Sequence, residues 1–395
     1  MARWPNSQQL RGWDEIGEIR IFVMQFQFGI EHEVAFINRD GQFADFSNTR
    51  FAEFDTIVAA LPEYASDYPQ LRIGDAGIKR KRWYIEGFER FDEQGQLTAC
   101  LPKGIEIRTT IHTDIEAAIA ELQTSFQQLC SKAAAWGFTP VLTSFNPQLE
   151  TFEPSPPLNA YEFRRRQASA EKQTAHIPML TYGPDLNFSI PALQPAAVIT
   201  LGQKLTYYSP YILPFSYSSP FYCGHLWSGL SVRTFIRTGP RPAAMVFVDP
   251  EHLLRSTPSL TKPSRLPAET GRIEFKAFDS CGDFRLYGAL LALLKGLALD
   301  TTLPGRSLVP DAALHQQSAR SGFRDEQIFE GAQAVMMAVD TALAGDRDAR
   351  LLAPLHHLLS QRQSPADKMI QRFQETNRLV AAMQYDASPY EMEVA

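Results

Sequence analysis

Glu31 and Glu33 lie two residues apart in Phe28-Gly29-Ile30-Glu31-His32-Glu33. The alternation marks a strand, so both carboxylates share one face while Phe28, Ile30 and His32 take the other. The pattern recurs three times. Glu106 and Arg108 oppose Ile105 and Ile107; Asp185, Asn187 and Ser189 oppose Leu186 and Phe188; Glu274 and Lys276 oppose Ile273 and Phe275. Acidic residues are poor strand formers, and a face that is merely wet favours threonine or scattered bases. If the four strands are neighbours, Glu31, Glu33, Glu106, Asp185, Asn187 and Glu274 converge, and their charges require cations between them. Hard oxygen donors in that number suit magnesium or manganese, with nucleotide phosphates completing the shell. Arg233, Arg272 and Lys276 would then balance phosphate charge. The competing reading is an antiparallel sheet with one face turned to solvent. Strand adjacency, which decides between the two, is not written in the sequence.

The elements that must position these residues are legible as alternating strands and helices. Gln25–Ile37 reads as a strand closed by the turn Asn38-Arg39-Asp40-Gly41. A helix is expected over 51–62 and a strand over 82–91. Gly104–Ile111 is a further strand, followed by a long amphipathic helix capped by Thr113 and stopped at Gly137. Phe138–Asn146 returns as a strand, 147–159 is a proline-rich loop, and 160–169 is a basic helix. Strands follow at 186–190 and 272–278, helices at 191–211 and 284–299, and an aromatic, serine-rich loop at 214–229. The chain closes with helices near 324–344, 350–360 and 365–384, the last announced by Ser364-Pro365. This order predicts an α+β fold with an antiparallel-rich sheet and helices on one face. Residues 25–395 are expected to form a single domain, and residues 1–24 an extension, loosely ordered or an over-long start.

The chain has 395 residues, 44% of them hydrophobic and 21% charged, with a formal net charge of −6. It is long enough to bury a large core without covalent staples. No block of basic residues marks a nucleic-acid surface. The apolar run Leu286–Leu299 is interrupted by Lys295 and too short to span a bilayer, and the N-terminus has no apolar secretory segment. Cys100, Cys130, Cys223 and Cys281 form no C-x-x-C pair, so reduced thiols and a cytoplasmic setting are expected, with neither a disulfide framework nor a zinc site.

In their chain order, several motifs resemble the glutamate–cysteine ligase type 2 and carboxylate–amine ligase family, of the glutamine synthetase-like superfamily. Phe28-Gly29-Ile30-Glu31-His32-Glu33 is similar to its opening Gly-x-Glu-x-Glu strand, and Gly104-Ile105-Glu106-Ile107-Arg108-Thr109 to its Glu-Ile-Asn-Thr strand. Trp136-Gly137-Phe138 fits the next block. Ser218-Ser219-Pro220-Phe221 with Gly229–Arg233 resembles Asn-Ser-Pro-Phe … Ser-x-Arg, and Gly271–Lys276 with Asp279 resembles Gly-Thr-x-Glu-x-Arg with its downstream aspartate. The resemblance covers about residues 25–300. It implies a curved, mainly antiparallel sheet forming an active-site funnel, with helices on its outer face. It further implies ATP, Mg2+ or Mn2+, a γ-glutamyl phosphate and attack by an amine. Glu31, Glu33, Glu106 and Glu274 would be metal ligands, with Asp185 and Asn187 completing the oxygen set. Arg233, Arg272 and Lys276 would act on phosphate, Asn187, Arg233 and Lys276 on the nucleotide, and Thr109, Arg108 and Ser219 near the acid substrate.

This chain departs from the pattern at four positions. Asp185-Leu186-Asn187 stands where many members carry His-x-His, Arg108 where they carry asparagine, and Lys276 where they carry arginine. Lysine is a point charge and cannot form a bidentate fork. His225 is read either as a base for the incoming amine or as a structural hydrogen-bonding residue. Arg164-Arg165-Arg166 is read either as a phosphate contact or as a solvated helix face. The expected function is an ATP-dependent ligase acting on a small carboxylate, L-glutamate foremost, and an amine or amino acid, in the direction of glutathione biosynthesis. The alternatives are a phosphotransferase of the same superfamily and a catalytically altered nucleotide-binding or regulatory homologue. Neither a nucleic acid nor a membrane is an expected partner, and the oligomeric state, homodimer included, stays open.

Overall fold

A computed structural model describes residues 10–13, 19–22, 25–67 and 82–385. The strands in chain order are β1 (Leu10–Trp13), β2 (Ile19–Phe22), β3 (Gln27–Ile37), β4 (Phe43–Ala44), β5 (Trp83–Phe91), β6 (Leu97–Arg108), β7 (Thr139–Val141), β8 (Pro184–Ser189), β9 (Phe221–Tyr222), β10 (His225–Leu226), β11 (Ala244–Val248), β12 (Thr261–Pro263) and β13 (Ile273–Phe275). Nine of them form one sheet in the order β12-β11-β13-β8-β3-β6-β5, with β4 and β7 pairing with the far end of β3. Every pairing in it is antiparallel except β11 with β12. The α+β expectation and its mainly antiparallel sheet are borne out. Of the 1–24 extension, most lies outside the described residues, and β1 and β2 within it pair as an antiparallel ribbon.

The sheet has a dry face and a polar face. On the dry one, Phe28, Ile30, Val34, Ile105, Ile107, Trp83, Ile85, Leu186, Phe188, Ile273 and Phe275 are buried. The helix Ile115–Ala135 covers β3, β6 and β7, and the helix Pro195–Ile212 covers β11 and β13. The helix Phe284–Leu299 packs against both and is apolar nearly all round, as a helix in a core must be. His32 belongs to this dry face. Its ring lies between the hydroxyls of Tyr287, 2.9 Å from Nδ1, and Tyr385, 3.2 Å from Nε2.

Several boundaries differ from the sequence reading for local reasons. The helix Ile115–Ala135 is capped by Asp114, which accepts from Ala117 N–H, and not by Thr113. The strand at Gly104 begins at Leu97, because it is the return arm of a hairpin with β5. The strand expected over 138–146 is only three residues long, and the chain leaves the sheet after Val141. The last helix breaks at Asn377, whose φ of 50° is left-handed, and resumes at Leu379–Ala382. The strands β11 and β12 and the helix Ala312–Ser321 were not anticipated. β11 is buried on both faces and so lacks the alternation that marks a half-exposed strand. No helix among the described residues is long and apolar enough to cross a membrane.

Candidate active site

The sheet register brings the acidic strands together. Across β3 and β6, Glu33 stands opposite Glu106 and Glu31 opposite Arg108. Across β3 and β8, Glu31 stands opposite Asp185, and across β8 and β13, Asn187 opposite Glu274. The hairpin to β5 sets Tyr84 opposite Glu106 and Glu86 opposite Gly104. Glu33, Glu86 and Glu106 each bring a carboxylate oxygen within 4.8 Å of the other two.

This trio is electrostatically unsettled in the protein alone. Burial, and then the charge of Glu106 and Glu33, pushes the Glu86 carboxyl well above its usual range. Burial also raises Glu106, against the pull of Arg108. Arg108 donates from Nε to Glu106 Oε1 at 2.6 Å, and its guanidinium lies 4.4 Å over the Tyr84 ring. Lys103 Nζ lies 3.0 Å from Glu33 and is anchored by the carbonyls of Pro178 and Thr181. Among the described residues, Glu86 makes no hydrogen bond or ion pair, and the charges of Lys103 and Arg108 only partly offset the rise. Three convergent oxygen donors, one of them without a bonded partner among the described residues, fit a hard divalent cation, so the donor set suits magnesium or manganese.

Further along the band the carboxylates already have partners. Lys276 Nζ pairs with both Asp185 and Glu274. Arg272 donates to Asn187 Oδ1 at 2.7 Å, lies 3.4 Å from Glu274 and 3.7 Å from Glu31, and stacks 4.0 Å over the Phe247 ring. Burial would raise the Glu274 carboxyl, but Lys276 and Arg272 outweigh it and hold it below the usual carboxylate range. Burial and the neighbouring acids push Glu31 up to about 6 and, against Lys276, Asp185 up to about 8.

Two cavities flank this band. The first, of about 390 Å³, is lined by Gln27, Glu31, Arg108, Thr109, Asn187, Ser189, Phe247, Lys262, Arg265, Arg272 and Glu274. The second, of about 340 Å³, is lined by Tyr84, Glu86, Phe88, Lys103, Arg165, Arg166, Lys172, Glu171, Met179 and Arg241. The first is bordered by four cations and an aromatic face. The second combines an apolar wall with charges of both signs.

The remaining expected site residues lie elsewhere. Thr109 borders the first cavity, and its hydroxyl accepts from Ile30 N–H at 2.9 Å. Arg233 is buried beneath the band, donating to the carbonyls of Lys276 and Ala277 at 2.8 Å each, 3.7 Å from Asp279. It passes where Gly183 has no side chain; a Cβ there would lie 2.4 Å from its Nη2. Ser219 is buried and donates to Asp279 at 2.8 Å. Arg233, Ser219 and Asp279 therefore brace the β13 end from below. His225 is exposed on the β9–β10 ribbon and lines neither cavity.

Glu86, Lys103, Phe247 and Lys262 escaped the sequence reading. Glu86 had a usable signal, because Trp83 and Ile85 alternate with Tyr84 and Glu86 as on the other acidic strands. Lys262 had none, since β12 is three residues long.

No protein-family model and no curated protein matches the sequence. The fold is shared with solved structures. A bifunctional glutathione synthetase from Pasteurella multocida superposes with a TM-score of 0.57 at 10% identity, over 91% of this chain and 51% of that one. The chain thus spans about half the length of that protein. A glutamate–cysteine ligase from Francisella tularensis, solved in complex with AMP, superposes with a TM-score of 0.52 at 10% identity, over 89% of this chain and 86% of that one.

Proposed function

We propose that this protein is an ATP-dependent ligase that activates a carboxylate as an acyl phosphate and joins it to an amine. The observation that carries the reading is an acidic band that borders two cavities, the first at Glu31 and Glu274 and the second at Glu86 of the Glu33–Glu86–Glu106 trio, on a sheet whose fold is shared with a glutamate–cysteine ligase. A phosphoryl transfer needs two ligands held on either side of concentrated positive charge. A divalent cation on the trio would supply part of that charge.

In this reading the first cavity takes the nucleotide. Arg108, Lys262, Arg265 and Arg272 match a polyphosphate, and Phe247 offers a face for a base, with Gln27 and Ser189 as polar partners. The second cavity takes the acid and the amine. Arg165, Arg166 and Arg241 attract carboxylates, and Glu89 and Glu171 attract an ammonium. A carboxylate oxygen of the acid attacks the γ-phosphorus and ADP leaves. The amine nitrogen then attacks the acyl carbon, phosphate leaves, and the nitrogen gives up a proton. Arg233 contributes from below, by fixing the backbone that carries Lys276.

The test is phosphate release from magnesium-ATP with L-glutamate and a panel of amines, with Glu86→Gln/Glu106→Gln as the control. Turnover that needs both an acid and an amine, and is lost in the control, supports the ligase. Phosphorylated acid formed without an amine requirement would indicate a phosphotransferase. Nucleotide binding without turnover for any pair would sink the ligase reading and favour a nucleotide-binding regulatory protein.

A further inference from the structure

The carboxylates of the band divide into two sets that differ in whether an ammonium bridges two of them. Glu33, Glu86 and Glu106 converge to metal-ligand spacing, with Lys103 on Glu33 and Arg108 on Glu106 at its edges and, among the described residues, no cation bonded to two of the three at once. Asp185 and Glu274 do not join such a group, and the ammonium of Lys276 stands between them. That ammonium is not a loose surface group. Lys276 is rooted by its N–H to Ala243 O at 2.9 Å and by the Arg233 guanidinium on its own carbonyl at 2.8 Å. Its side chain is 19% exposed. A lysine ammonium and a small divalent cation compete for the same space between two carboxylates, since each gathers oxygens at close range. An ion entering there would have to displace that ammonium from both carboxylates.

We propose that Lys276 is a resident cation of the site, occupying the place between Asp185 and Glu274 that a divalent ion would otherwise fill, so that the protein alone binds a single divalent ion, at Glu33, Glu86 and Glu106. This rests on the reading of the band as a metal-binding ligase site. It narrows the chemistry: charge that a second protein-bound metal would bring is delivered by lysine, in fixed number and at fixed position. Any second divalent ion must arrive with the nucleotide.

The experiment is Mn2+ binding to the nucleotide-free protein, read by electron paramagnetic resonance of free Mn2+. The wild type should bind one ion, lost in Glu86→Gln/Glu106→Gln. Lys276→Ala should bind two, and Lys276→Ala/Glu274→Gln one again. Glu274→Gln alone keeps Lys276 in place, and should change the affinity of the single ion by less than about threefold, the screened effect of one charge at a distance. Two ions in the wild type, or loss of the bound ion in Glu274→Gln, would overturn the inference while leaving the metal site intact. A folded Lys276→Ala protein that still binds one ion would overturn it as well. No binding in the wild type would overturn the metal reading on which it stands. If Lys276→Ala fails to fold, the wild-type count and the Glu274→Gln arm still decide.

Discussion

Glu33 and Glu106 stand directly opposite each other in the β3–β6 ladder, an arrangement of like charges that a sheet does not favour without something between them. Glu86 reaches the same point from β5. Replacing Glu86 by glutamine should weaken Mn2+ binding by roughly 10²-fold or more, since even outer partners of a metal site cost up to that much. The same variant should be at least as stable as the wild type in the absence of metal, because a carboxyl raised by burial is removed. Unchanged Mn2+ affinity would take Glu86 out of the ligand set.

Arg272 is the cation of the first cavity with the most constrained geometry, stacked on Phe247 and bonded to Asn187. Arg272→Lys keeps the charge but loses the planar fork and the stack. The KM for ATP should rise roughly tenfold, the equivalent of one charge-assisted hydrogen bond, with the KM for the acid little changed. A selective rise in the acid KM would reverse the assignment of the two cavities.

Much of this site was legible because strands carry their faces in alternate residues. Spacing sets Glu31 with Glu33, Asp185 with Asn187, and Glu106 and Glu274 each on the polar face of its own strand, and the register makes those strands neighbours. Spacing could not say which acids meet each other. That depends on the bulged hairpin of β5 and β6, which brings in Glu86, and on Lys276, whose chain length lets it fill the gap between two strands. The short segment Thr261–Pro263 and the uniformly apolar Ala244–Val248 have no periodicity to read, so the wall of the first cavity was invisible.

Away from the site, Lys204 is buried with its ammonium on the carbonyls of Leu297 and Asp300 and, at 2.7 Å, on the Asp300 carboxylate. Burial would raise that carboxyl, but hydrogen bonds from Lys204 and Thr302 outweigh it and hold it at about 2. Lys204→Met leaves Asp300 with only its hydrogen bonds from Thr302 and Leu303 and should cost about 3 kcal/mol in urea unfolding at pH 7. A carboxyl lowered on folding contributes stability that is present above its unfolded value, near 3.8, and is lost as the pH falls through about 2. The difference between wild type and variant should therefore shrink in that window. A difference that is flat with pH would argue against the pair as its source.

His315, on the helix Ala312–Ser321, is a second probe of pH. Its ring is buried between Asp311 O, 2.6 Å from Nδ1, and Ser209 Oγ, 2.9 Å from Nε2, and burial pulls it down to about 4. The folded form keeps the imidazole neutral while the unfolded chain protonates near 6.5, so its contribution is full above that pH and is lost on descending towards 4. The loss amounts to roughly 3 kcal/mol at most. His315→Gln should flatten the fall in stability between pH 7 and pH 5 relative to wild type. Parallel curves for the two proteins would show that this imidazole is not a source of the slope.

Gly104 links the backbone to the chemistry. It lies opposite Glu86 in the β5–β6 ladder and two residues before Glu106, and a Cβ built on it would sit 2.4 Å from the carbonyl oxygen of Val34. That oxygen belongs to β3, the strand carrying Glu33, so the clash cannot be relieved by turning a side chain. Gly104→Ala must push β6 away from β3, and the Glu33–Glu106 distance must grow with it. Stability should fall by about 1–3 kcal/mol, the usual cost of overpacking a well-filled interior. The sharper prediction is functional: Mn2+ affinity should drop in the folded variant although no ligand has been touched. Wild-type Mn2+ affinity in a destabilised Gly104→Ala protein would mean that the trio tolerates a displaced strand, and that close approach of β3 and β6 serves folding alone.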